Sequence, residues 1–176
     1  MKLESLEFDW ARLDEFRHEL MEYDRGLLLQ RLAAAGGRLT ELAARIPDEP
    51  PAVGSEGWNA REVLAHIAVL SKFYGVAAKR VAEGAWTEID LLTMVNQRDV
   101  AGAATAKLPV AEIAEMALAD NRRTVEFVRG ADLDSLYRRA AIGEGATWSA
   151  EEILRLPLCA HLELHLEQLA AALPTG

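Results

Sequence analysis

The chain has 176 residues, 51% hydrophobic and 27% charged, which suits one domain with a buried core and is too apolar for disorder. A formal charge of −9 opposes a polyanion, so no nucleic-acid partner is expected, and the single cysteine, Cys159, excludes an internal disulfide and suits a reducing compartment. The Met1–Glu7 segment is too acidic for a signal peptide, and no apolar run nears the ~18 residues of a membrane span, so a cytoplasmic protein without a membrane partner is expected.

Apolar residues recur at helical spacing along the chain, while strand-like alternation is almost absent. A first helical stretch is expected over 9–22 and a second over 24–46, which Gly36-Gly37 bends or interrupts. Pro47, Pro50, Pro51 and Gly54 then make a loop.

The next helix, 59–83, has a strong start signal. Asn59 caps it, Glu62 reaches back, and Trp58 with Val63 forms a hydrophobic staple. Gly84 stops it. A short helical piece follows over 90–105, and Pro109 opens a helix over 109–129.

The last helix, 149–173, repeats the entry: Trp148, Ser149 as cap, Glu152 as its partner and Ile153 completing the staple. Pro157 lies inside it and should kink or split it, because proline lacks the N–H that one helical bond needs. The expected fold is all-α: a four-helix bundle with an additional N-terminal helix, one domain over 1–176 with 1–22 as a helical extension.

His161 and His165 are four residues apart and so share one helix face. On helical wheels His66 lies with Val63, Ile67 and Leu70, and His161 with Leu154, Leu158 and His165, so all three histidines point inward. Three inward imidazoles, two at ligand spacing, make a nitrogen site with an open coordination position. Glu163 and Glu167 project to the other side of their helix, and an all-imidazole site favours zinc, nickel, copper or iron(II) over magnesium or calcium.

The competing metal signatures fail. His18-Glu19 lacks the second histidine of a zincin, and Glu15-x-x-His18 is one motif where a di-iron bundle needs two. Gln168, one turn beyond His165, is placed to touch a bound water or a ligand imidazole. Helix capping accounts for Glu62, packing or the surface for Cys159, and a polar face for His18. Asp120 falls on an apolar arc and needs a partner there, such as an arginine.

Trp58…Glu62…His66, then Asn96-Gln97-Arg98, then Leu108-Pro109-Val110-Ala111-Glu112 and the final His161-x-x-x-His165-x-x-Gln168 together resemble the DinB-like superfamily from about Tyr23 onward. The resemblance implies a metal-binding four-helix bundle, often dimeric, with His66, His161 and His165 as the triad. It also implies kinship with transferases and isomerases that use thiols such as mycothiol or bacillithiol, including maleylpyruvate isomerase. The sequence ends at Gly176 without a second C-terminal domain, so general metal–thiol chemistry is expected rather than that particular isomerisation.

The expected function is therefore a metal- and thiol-dependent transferase or isomerase acting on a thiol and an electrophile, with zinc or nickel in the site. The alternative is a non-catalytic bundle with a structural metal or none, acting through self-association or a protein partner. Hydrolysis by a metal-bound water is a weaker variant, with Glu62 and Asp120 the only carboxylates offered as base. Asn96 and Arg98 are expected to line the substrate pocket, because a guanidinium donates two hydrogen bonds to one carboxylate. A homodimer is expected, with the apolar side of Phe8, Trp10, Leu13, Phe16 and Leu20 needing burial.

Overall fold

The computed structural model describes residues 10–54 and 57–174. Helix α1, Trp10–Ala43, is followed by a two-residue antiparallel pair, β1 (Ala52–Val53) and β2 (Trp58–Asn59). Helix α2 (Ala60–Ala82), α3 (Leu91–Thr105), α4 (Val110–Gly130) and the single turn α5 (Leu133–Leu136) come next. A hairpin of β3 (Arg139–Gly143) and β4 (Ala146–Ser149) leads into α6 (Ala150–Ile153), a π-helical segment (Leu154–Ala160) and α7 (His161–Ala172).

The four-helix bundle is present: α1, α2, α4 and the α6–π–α7 unit surround the core. Its order is not up-down-up-down. Asn121 on α4 donates to the Leu32 carbonyl, and Arg25 donates to Ala131 just past α4, so α1 and α4 run antiparallel. Asp24 meets Arg155 and Arg31 meets Glu163, so α1 runs parallel to the C-terminal unit. The centre holds fully buried Leu32, Leu64, Ile67, Ile113, Leu158 and Leu166, each worth about 1.5–3 kcal/mol of burial.

The expected N-terminal helix is present but is not a separate element. Its described part continues without a break into the second helix, since nothing between Glu22 and Asp24 stops it. Gly36 does not interrupt α1 either. A side chain there would meet Asn121 Oδ1 at 2.8 Å, so the glycine serves close packing against α4. Of the N-terminal apolar residues, Leu13 and Phe16 are half-buried and Leu20 is exposed; Phe8 lies outside the described residues.

Both expected capping boxes form. Glu62 N–H donates to Asn59 Oδ1 at 3.0 Å and Asn59 N–H to Glu62 Oε2 at 2.7 Å, and Ser149 and Glu152 do the same at 3.0 and 2.6 Å. Three elements go beyond the sequence reading: the short β1–β2 pair, the turn α5, capped by Asp132, and the β3–β4 hairpin, turned by Gly143-Glu144-Gly145, all at positive φ. Pro157 does split the last helix. The bond it cannot donate is accommodated by widening seven residues into a π-helix, after which α7 resumes at His161.

Candidate metal centre

Each histidine is delivered by local sequence physics. The β1–β2 register sets Val53 opposite Trp58, and Asn59 then caps α2 and aims its first turns. His66 follows on the α2 face that meets α7. The π-segment ends at Ala160, so His161 and His165 occupy the first turns of α7 in ordinary α geometry, one above the other.

The structure brings the three together. One ligand atom from each of His66, His161 and His165 lies within 4.8 Å of the others. Ring centroids are 5.3 Å apart for His66–His161 and 4.6 Å for both other pairs. His66 and His165 are 7% and 5% exposed, whereas His161 is half-buried, so access to the cluster is from the His161 side.

Protonation is disfavoured here. Burial, then the neighbouring His165 and Arg98, push the His66 imidazole down to about 3, and burial, His165 and Arg98 push His161 down to about 4. Both rings are neutral at pH 7 and offer a lone pair. His66 Nε2 is buried with no hydrogen-bond partner among the described residues, an expense that a metal ion at this position would remove. His165 Nδ1 lies 2.8 Å from Gln168 Oε1; donation to that carbonyl places the ring proton on Nδ1 and leaves Nε2 as the donor atom. Three imidazoles converging on one point, with His66 and His161 held neutral, fit a divalent transition metal.

The other candidate residues divide between the neighbourhood of the triad and places away from it. Arg98 is close enough for its charge to act on both His66 and His161, and its side chain is 13% exposed while bonded to Asp99 at 3.1 Å. Asn96 is exposed, and two residues along α3 turn it roughly 200° away from Arg98. Glu62 is engaged in capping. Asp120 finds its arginine, Arg123, at 2.6 Å, but lines a cavity of about 770 Å³ between α2 and α4 whose walls include none of the three histidines. Lys79 pairs with Glu83 and Arg123 with Asp120 along that cavity's walls.

Cys159 is fully buried, and burial followed by the nearby Glu163 pushes its thiol up to about 12, so it stays protonated. Glu163 points away from the triad and takes two hydrogen bonds from Arg31, at 2.8 and 2.6 Å. Sequence reasoning gives Trp58 a staple role and a place in the Trp58…Glu62…His66 pattern, with no contact to the histidines. Its indole also packs on the cluster, 5.0 Å from the His66 ring and 6.3 Å, near-stacked, from His165. Its place at the mouth of a histidine-bearing helix is the signal that was there to use.

No family model and no curated protein matches the sequence. Two solved structures are similar in fold. The crystal structure of the mycothiol-dependent maleylpyruvate isomerase aligns with a TM-score of 0.69 at 15% identity, covering 86% of this chain and 62% of that one. A histidine-to-alanine mutant of that isomerase aligns at 0.70, with the same identity and coverage. This chain thus spans less than two thirds of the isomerase's length. Among the described residues no helix is long and apolar enough to cross a membrane. The likeness shows the fold: over 86% of its length the chain shares the helical-bundle fold of that isomerase structure.

Proposed function

We propose that the protein is a metal-dependent enzyme that activates a low-molecular-weight thiol, such as mycothiol or bacillithiol, for transfer to or isomerisation of an electrophile. The observation that carries this reading is the convergence of His66, His161 and His165 on one point with their protons held off or turned away. These three residues would hold zinc or nickel, and the ion would supply the positive charge that turns a coordinated thiol into a thiolate nucleophile.

The chain's own groups do the rest. Gln168 fixes the His165 tautomer, and Trp58 covers two of the rings and shields that side from water. The thiol then enters from the half-exposed His161 side, where the Arg98 guanidinium favours an anionic group such as a substrate carboxylate. The metal-ligand group has three members among the described residues, which supports an open position and a catalytic role over a sealed structural one. Hydrolysis is less well supported, because Glu62 is occupied in a cap and Asp120 stands in a separate cleft with Arg123.

The test is to load the protein with zinc or nickel and screen it against a panel of thiols and electrophiles. Thiol consumption that needs both the metal and His66 is the expected result. Tight metal binding with no turnover across the panel would leave the site structural and end the catalytic reading.

A further inference from the structure

Helices α2 and α4 come close at Gly75, where a Cβ would meet Thr124 Oγ1 at 2.5 Å, and beside that contact lies the cavity of about 770 Å³. Pockets that hold small organic molecules run to roughly 300–1,000 Å³. Ser71 stands one turn before Gly75 on the same face of α2 and lines the cavity. It is 2% exposed, and its Oγ has no hydrogen-bond partner among the described residues. Thr124, on the facing helix, shows how a helical hydroxyl is ordinarily satisfied: it donates to the Asp120 carbonyl at 3.0 Å. A buried hydroxyl left unpaired, as Ser71 is, costs on the order of 1–3 kcal/mol.

We propose that this cavity binds an uncharged, mostly apolar molecule with an aromatic body and one hydrogen-bonding group, such as a phenol, that bonds to Ser71. Charge sets the first part. Acidic and basic side chains line the cavity in equal number, four of each. Lys79 pairs with Glu83 at 3.8 Å and Arg123 with Asp120 at 2.6 Å, while Arg138 donates to the Ala82 carbonyl. The charges left over, Lys72, Glu126 and Asp132, are exposed and stay hydrated, and Asp132 also caps α5. A charged ligand would lose water on entry and gain at best an exposed pair, worth under about 1 kcal/mol.

The apolar part rests on the walls. Val76 on α2 is 46% exposed and Phe127 on α4 is half-buried, and an aromatic ligand stacks offset on the Phe127 ring. The Ser71 hydroxyl turns to such a ligand by a change of χ1 alone. None of the three histidines lines the cavity, so this site stands apart from the metal-and-thiol reading.

Fluorescence titration of 2-naphthol, neutral at pH 7, into the full-length chain with and without zinc tests this. The expected result is saturable binding of one molecule per chain with a Kd below ~1 mM, the same in both metal states. 2-Naphthoate and 2-naphthylmethylammonium put a charge of either sign on the same body and are expected to bind at least tenfold more weakly. Ser71→Ala should weaken 2-naphthol about fivefold and leave 2-methylnaphthalene, which lacks the hydroxyl, unchanged. Val76→Glu places a charge in the apolar wall and should remove binding with helical circular dichroism intact, whereas His66→Ala should keep it. Four results would each overturn the proposal: no saturable binding, a charged analogue as tight as 2-naphthol, Ser71→Ala as tight as wild type, or loss in His66→Ala but not in Val76→Glu.

Discussion

Replacing Gln168 by leucine isolates the residue that sets the proton on a ligand histidine. His165 is 5% exposed and its Nδ1 has Gln168 Oε1 at 2.8 Å, so the leucine variant loses one buried hydrogen bond, worth about 1 kcal/mol net, while keeping similar bulk beside Leu169. It also loses the acceptor that selects the Nδ1–H tautomer, which leaves the ring able to carry its proton on the nitrogen aimed at the metal. Removing such a supporting partner typically weakens metal affinity by roughly 10–100-fold, or ~1.4–2.8 kcal/mol. Competition titration of zinc against a chromogenic chelator reads this directly, with the metal-free melting temperature as a control for packing. Gln168→Glu, which keeps an acceptor oxygen, should bind at least as tightly as wild type. A Gln168→Leu protein whose zinc affinity stays within twofold of wild type would refute the tautomer argument.

Arg98→Ala should leave metal content unchanged and weaken binding of a carboxylate-bearing thiol about tenfold, measured by calorimetry against an uncharged thiol. Gly75→Ala places a methyl 2.5 Å from Thr124 Oγ1; overpacking of about 1–3 kcal/mol should exceed the ~1 kcal/mol gained in helix propensity, and adding Thr124→Ala should restore most of the lost melting temperature. Glu152 is held below its ordinary value near 4.5, first by the Ser149 backbone N–H, so its stabilisation is complete above that value and fades as pH falls through the lower folded one. Thermal melts of wild type and Glu152→Gln should therefore differ at pH 7 and converge toward pH 3, whereas a constant gap would exclude the carboxylate as the cause.

What the sequence made legible was local. Asn59 with Glu62 and Ser149 with Glu152 are three residues apart, and each pair closes its own cap whatever surrounds it. His161 and His165 share a face by periodicity, and His66 joins them because the apolar arcs of its own helix and theirs both point to the core. Pro157 announces a break, though not that a π-segment absorbs it. Contacts far apart in the chain left no such trace: Arg31 and Glu163 pair across 132 residues, and Trp58 meets His165 only once the bundle is closed. The β3–β4 hairpin was hidden by length, since five and four residues around a Gly-x-Gly turn hardly establish an alternation. Asn96 and Arg98 were read as a pair, but helical phase sends one outward and the other toward the histidines.

The central claim is that the three imidazoles form one metal site, and metal stoichiometry tests it most directly. Elemental analysis of gently purified wild-type protein, beside His161→Ala and His165→Ala variants, should find close to one zinc or nickel per chain in the first and a large loss in both variants, with helical content preserved in all three. Equal metal content in the wild type and both variants would contradict the account.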